Sequence, residues 1–235
     1  MKLAIIPARG GSKRIPRKNI KLFHGQPLLA YSIAAAKASG EFDRIIVSTD
    51  DTEIALLAEK LGAEVPFIRP AHLSGDHTST IDVIQHAIQT LQDQGHFFDF
   101  VCCIYATAPF LRASFLSQGV QFLINCPSAS YAFSVTTFAF PVQRAICLDA
   151  SGRVGALYPE FRNTRSQDLP EALHDAGQFY WGRCDAWLRG DVIFSACSLP
   201  VRLPRHLVQD IDTPEDWLMA EHMFAAVLAN EAAQS

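Results

Sequence analysis

Short apolar, β-branched runs alternate along the chain with segments of helical period. That alternation confines it to an α/β fold, a mostly parallel sheet with helices packed on its faces. The runs predicted as strands are Leu3–Ile6, Arg44–Ser48, Val65–Phe67, Phe100–Tyr105 and Ala132–Val135. Helices are predicted at Pro27–Ser39, Thr52–Leu61 and Thr80–Gln92. In the second of these, Ile54, Leu57, Ala58 and Leu61 fall at i, i+3, i+4 and i+7; in the third, Ile81, Ile84, Ile88 and Leu91 keep a similar stripe, so each buries one face. A last helix opens with Thr213 as N-cap, Pro214 at the first helical position and Glu215 with Asp216 in the first turn. Its apolar side runs through Trp217, Phe224 and Leu228. From about 136 to 175 the alternation is interrupted by Pro141, Gly152, Gly155, Pro159 and Pro170, which reads as an insertion in a single domain spanning 1–235.

Composition excludes several classes. With 49% hydrophobic and 19% charged residues, the chain has enough apolar material to offset the entropy of ordering, so disorder is excluded. No apolar run approaches the roughly 20 residues that span a bilayer, and the start meets Pro7 and Arg9 too early for a signal peptide. The expectation is a cytoplasmic protein without membrane contact. The six cysteines form no C-x-x-C pair and are expected to be reduced core residues. A net charge of −4 argues against general nucleic-acid binding, but residues 1–40 hold eight Lys or Arg and no acid. An acidic chain with one basic end has a site there for a small anion.

That basic end is Ile6-Pro7-Ala8-Arg9-Gly10-Gly11-Ser12-Lys13-Arg14-Ile15-Pro16-Arg17-Lys18-Asn19, directly after the first strand. Six cations from Arg9 to Lys21 surround a glycine pair, so backbone N–H groups and fixed positive charges can meet one anion carrying several phosphates. Neither G-x-x-x-x-G-K-[ST] nor G-x-G-x-x-G is present in this loop. Near the other end, Asp210 and Asp212 lie two apart in Gln209-Asp210-Ile211-Asp212-Thr213-Pro214. On an extended chain both carboxylates face one side and can present oxygens to a hard cation shared with phosphates. The alternative makes Asp212 part of the helix cap and Asp210 a surface acid. Asp50, in Ser48-Thr49-Asp50-Asp51, is placed to touch a ribose or to cap the helix from Thr52, with the cap preferred. His72, Asp76 and His77 lack an evident fourth ligand for zinc and read as loop residues.

With these motifs in order, joined by Arg69-Pro70-Ala71-His72-Leu73 and Thr107-Ala108-Pro109-Phe110-Leu111-Arg112, the chain resembles the CMP-sialic acid synthetase family, cytidylyltransferases that activate acidic sugars with CTP. The resemblance covers nearly the whole chain. It implies the Rossmann-like nucleotidyltransferase fold, with a small dimerisation insertion and hence a homodimer. It implies that Arg9, Ser12, Lys13 and Lys18 hold the triphosphate together with the Gly10 and Gly11 backbone, Lys18 lying nearest the reacting α-phosphate. Asn19 and Arg69 would hold the nucleoside, with Ser79 nearby. Asp210 and Asp212 would bind Mg2+, with Mn2+ as the alternative, and Asp212 is the candidate base.

Departures from the family's pattern concern the sugar. Where sialic acid synthetases read Q-P-T-S-P-L-R, this chain has Ala106-Thr107-Ala108-Pro109-Phe110-Leu111-Arg112 preceded by Tyr105. Both that loop and Asp175-Ala176-Gly177-Gln178-Phe179-Tyr180-Trp181 resemble the pseudaminic acid cytidylyltransferase branch. The resemblance implies a nonulosonic acid substrate with an extra acylamino group, held by Tyr105, Thr107, Gln178 and Phe179. Legionaminic and N-acetylneuraminic acids are the alternative substrates. A metal-dependent glycosyltransferase using Asp210-Ile211-Asp212 as a D-x-D motif, and a nucleotide-binding regulatory module, are the readings from other classes.

Overall fold

The computed structural model describes residues 1–234. In chain order the elements are β1 (Lys2–Pro7), a small hairpin of β2 (Leu22–Phe23) and β3 (Gln26–Pro27), α1 (Leu28–Ser39), β4 (Arg44–Ser48), α2 (Thr52–Lys60), α3 (Thr80–Asp93) and β5 (Phe100–Ile104). They continue as α4 (Ala113–Asn125), β6 (Tyr131–Thr137), β7 (Ile146–Leu148), β8 (Val154–Ala156), β9 (Leu173–Arg183), α5 (Cys184–Arg189), β10 (Ser198–Arg202) and α6 (Pro214–Gln234). Six strands share one sheet in the order β10-β6-β9-β5-β1-β4. β1 runs parallel to β4 and β5, and β10 parallel to β6, while β9 lies antiparallel between β5 and β6.

β1 shows why this sheet needs helices on both sides. Ala4 and Ile6 enter one apolar layer with Leu29, Ile33, Val47 and Leu116, whereas Leu3 and Ile5 enter the opposite layer with Ile84, Ile88 and Trp187. Burying a side chain of this size contributes roughly 1.5–3 kcal/mol, so a continuous apolar strand is stable only with both faces covered. A third cluster, Ile15, Phe23, Leu28, Ile211 and Trp217, packs α6 against the basic loop and so brings the two ends of the chain together.

Several expectations need correction. Val65–Phe67 forms no strand: single bridges at Glu64 and Ile68 flank it, and Pro66 has no amide proton for a ladder. β9, β10 and α4 were not predicted. Most of β9 is buried on both faces, so it shows no alternation, and it reads as motif rather than strand. The excursion from the sheet runs from 138 to 172, between β6 and β9, and carries the β7–β8 hairpin. Cys102, Cys103 and Cys184 are core residues as expected, but Cys147 and Cys197 are exposed.

The pairing of β9 with β6 is interrupted. Tyr180 pairs with Phe133 and Asp175 with Val135, so the register shifts between those pairs and residues bulge from β9. Ser134 repairs the ladder, its Oγ accepting N–H bonds from Gln178 and Phe179, both at 3.2 Å. Gly177 sits in the bulge at φ 62°, a left-handed conformation suited to glycine.

Candidate active site

The site lies where ligands bind in such sheets, outside the carboxyl ends of β1, β4 and β5. A cavity of about 280 Å³ there is lined by Arg9, Ser12, Lys18, Asn19, Arg69, Asp76, Thr80, Tyr105 and Thr107, among others. The basic loop is folded around it by buried Asn19, whose Nδ2 donates to the Arg9 carbonyl at 2.9 Å. Arg17 adopts φ 56° and points away from the cavity's lining residues, donating to Asp51 and, at 2.5 Å, to Glu53. Asp51 also N-caps α2, accepting from the Glu53 and Ile54 N–H groups at 2.9 and 3.0 Å. It packs so closely on Gly10 that a Cβ there would stand 2.6 Å from its carboxylate. Asp51 thus clamps the loop to the end of β4. The Arg17 hydrogen bond, ahead of the helix N–H groups, holds its carboxyl below the usual range.

Asp51, not Asp50, is therefore the cap. Asp50 accepts the Gly10 N–H at 2.9 Å and lies 3.8 Å from the Arg69 guanidinium. This corrects the expectation that Gly10 offers a bare N–H to an anion; neither Gly10 nor Gly11 lines the cavity. Arg69 is 4% exposed, and burial lowers its pKa, a cost repaid when a ligand oxygen meets the guanidinium. Ser79 does not line the cavity. It N-caps α3 in a capping box with Asp82, while its neighbours Thr78 and Thr80 face inward.

Asp76 carries no expected role, yet it occupies the cationic cradle. Its carboxylate meets Arg9 at 2.7 Å and Lys13 at 2.5 Å, and bonds to Lys13 first and Arg9 second keep it ionised below the usual pH. Lys18 donates to the Ile211 carbonyl and to Asp212 at 3.1 Å, and Arg14 meets Asp212 at 2.7 Å. The basic loop and the Asp210–Asp212 segment are thereby one network. Asp216 completes the α6 cap with Thr213, as expected.

A second cavity, of about 600 Å³, adjoins the first at Tyr105 and is lined by His174, Asp175, Ala176, Gly177, Val208, Gln209 and Asp210. Asp210 keeps accessible surface but is crowded enough that desolvation, then Asp212, raises its carboxyl pKa. Gln178 and Phe179, expected to hold a sugar, are corrected: Phe179 is wholly buried, and Gln178 lies beneath the cavity donating to the Leu207 carbonyl at 2.6 Å. That bond ties β9 to the segment bearing Asp210. The bulge presents Asp175 and Gly177 instead, a choice no sequence periodicity reveals.

Two cavities that meet at Tyr105, one cationic and one ending at Asp210, form a sheet-end site with room for a phosphorylated ligand and a second substrate. A family profile described as Cytidylyltransferase matches residues 3–144. The chain is 48% identical over 222 residues to a pseudaminic acid cytidylyltransferase of Campylobacter jejuni, covering 94% of this chain and 95% of the relative. It is 31% identical to a CMP-N,N'-diacetyllegionaminic acid synthase of Legionella pneumophila, covering 94% and 95%. The fold matches the structure of a CMP:2-keto-3-deoxy-manno-octonic acid synthetase complexed with CTP at a TM-score of 0.69 and 16% identity, covering 96% of this chain and 98% of that one. The chain belongs to the cytidylyltransferase family. Membership removes the glycosyltransferase and non-catalytic readings.

Two predictions follow from the geometry. Asp51→Ala should lower stability by about 1–2 kcal/mol through loss of the cap, measured by denaturant unfolding. Because the folded carboxyl is held below its unfolded value, its charge-dependent contribution is complete above about pH 4 and is lost as pH falls through the folded value. The gap between wild type and variant should therefore narrow in acid; a gap that widens there contradicts the clamp. Asp76→Asn should tighten CTP binding severalfold in calorimetry by removing an internal competitor for Arg9 and Lys13. Weaker binding would instead make Asp76 a ligand-holding residue.

Proposed function

We propose that the chain condenses CTP with pseudaminic acid, giving the CMP-sugar and pyrophosphate. The carrying observation is the meeting at Tyr105 of a cationic cavity with one that ends at Asp210. The relative at 48% identity over 94% of the chain supports this sugar over legionaminic acid, whose synthase from Legionella pneumophila stands at 31% over the same share.

In this reading Arg9, Ser12 and Lys13 hold the triphosphate, Asn19 and Arg69 orient the nucleoside, and Tyr105 and Thr107 line the boundary between the substrates. Lys18, anchored by the Ile211 carbonyl, places its ammonium beside the α-phosphate, where negative charge grows as the sugar's anomeric hydroxyl attacks. Arg9 and Lys13 neutralise the departing pyrophosphate. Asp212 is the candidate acceptor for the hydroxyl proton.

The family's divalent cation, Mg2+ or Mn2+, fits the donors present. Asp210 and Asp212 are hard oxygen donors, and desolvation, then repulsion from Asp212, raises the Asp210 pKa, a cost that a cation would relieve. Among the described residues no group of three or more His, Cys, Asp and Glu could hold a metal, so Asp210 and Asp212 are the side chains that would hold it. When bound, it supplies charge neutralisation and acidifies a coordinated hydroxyl.

The homodimer is proposed on a separate feature. On β7 and β8, Ile146, Leu148 and Val154 share one face, each at least 65% exposed, and an isolated two-stranded hairpin is marginal in water. A second copy of the chain is the proposed cover. Among the described residues no helix is long and apolar enough to cross a membrane.

Pyrophosphate release should occur from CTP and magnesium with pseudaminic acid and not with legionaminic or N-acetylneuraminic acid. Release with another acid alone would overturn the sugar assignment. Asp212→Ala should lose at least about 100-fold in kcat while CTP still binds in calorimetry; near-normal turnover would exclude both its roles. Replacing Ile146 and Leu148 together by Asp should shift a dimer to monomer in sedimentation velocity, and an unchanged dimer would place the interface elsewhere.

A further inference from the structure

Asp175 stands where three features converge. It pairs with Val135 at the edge of the β9 bulge, and it lines both the cavity that ends at Asp210 and a third cavity of about 650 Å³. The wall of that third cavity is largely apolar, with Phe133, Val135, Leu173, Phe194 and Pro200. Its carboxylate is fixed on two sides: Oδ1 accepts the Gly177 N–H at 2.9 Å, and Oδ2 accepts the Tyr180 hydroxyl. Tyr180 is itself held by ring contacts with Tyr105 at 5.3 Å and Phe133 at 5.9 Å. Burial, with the nearby Tyr105 and Asp175, raises the phenol's pKa far above its ordinary value, so it remains a donor.

A fixed carboxylate in a pocket for an anionic sugar is unfavourable unless it meets a hydrogen-bond donor. A hydroxyl would provide one. An acylamino group provides an N–H together with an apolar acyl methyl, and only that combination uses both the carboxylate and the apolar wall beside it. We propose that Asp175 is a specificity residue that accepts the N–H of an acylamino substituent on the sugar acid, with Tyr180 as the positioning residue that aims it. The inference rests on the proposed nonulosonic acid reading and deepens it, since it states which functional group the pocket selects.

The test compares pseudaminic acid, which bears two acylamino groups, with synthetic analogues in which one or the other is a hydroxyl. Pyrophosphate release is measured for each. Wild type should prefer the parent over one analogue by about 10- to 100-fold in kcat/KM, the size of one buried hydrogen bond with its apolar contact. Asp175→Ala should remove most of that preference by raising KM for the parent sugar, with the dissociation constant for CTP unchanged. Asp175→Asn, which keeps an acceptor oxygen, should restore part of it, and Tyr180→Phe should weaken it without abolishing it. Should Asp175→Ala fail to fold, Asp175→Asn and Tyr180→Phe carry the comparison. Preference retained in all the variants would overturn the proposal while leaving the cytidylyl transfer intact. Absence of release by wild type with any nonulosonic acid would overturn the functional reading itself.

Discussion

Concentrated positive charge after β1 is the constraint around which this molecule is arranged. Six cations within thirteen residues would repel one another and leave the loop unstructured. Each instead meets a partner from another part of the chain. Arg9 and Lys13 share Asp76, Arg14 and Lys18 share Asp212, Arg17 takes Asp51 and Glu53, and Lys21 lies over the Trp217 ring at 4.0 Å. Pairs with this much exposure contribute little to stability individually. Their effect is positional: they bring the β4–α2 turn, the loop before α3 and the segment before α6 to one sheet end.

The sheet supplies the rest through one irregular strand. β9 is the only antiparallel member among its described neighbours, and it carries a bulge where it passes the site. Without the bulge, alternation would place Asp175 by the pleat alone. With it, Ser134 supplies the missing ladder bonds, and Asp175 and Gly177 face the cavity while Gln178 turns inward to hold Leu207. The same local defect therefore sets the floor of the second cavity and, through Leu207, the height of Asp210 above it.

The chain's local signals were readable where the physics is local. The stripes of α2 and α3, the α6 cap and the basic loop appear in the sequence because periodicity, capping and charge density act within a few residues. β9 was not legible because burial on both faces removes alternation, and α4 because its neighbours were read only as motif. The partners of the basic loop were illegible for another reason. Asp76 and Asp212 lie 63 and 198 residues from Lys13 and Arg14, and nothing local distinguishes them from surface acids. Resemblance singled out Lys18 and Arg69, which line the first cavity, but placed sugar contacts at Gln178 and Phe179, which are buried and line neither cavity. Motif position carries no information about which face of a bulged strand a residue takes.

The link between Lys18 and Asp212 has a consequence for how the two acids differ. Asp212 is at once a candidate cation ligand and the counter-ion of two cations, whereas Asp210 feels Lys18 only through its field and has a raised pKa, set first by desolvation. Any positive charge arriving between the acids competes with the ion pairs of Lys18 and Arg14 for Asp212, and for Asp210 with the field of Lys18. Lys18 survives that competition in place because the Ile211 carbonyl, lying between the acids in sequence, holds its ammonium independently. The apolar Ile211 side chain is buried in the α6 cluster, so the carbonyl is fixed by the core rather than by the charges around it. The positioning of Lys18 is thus decoupled from the charge state of the acid it neutralises.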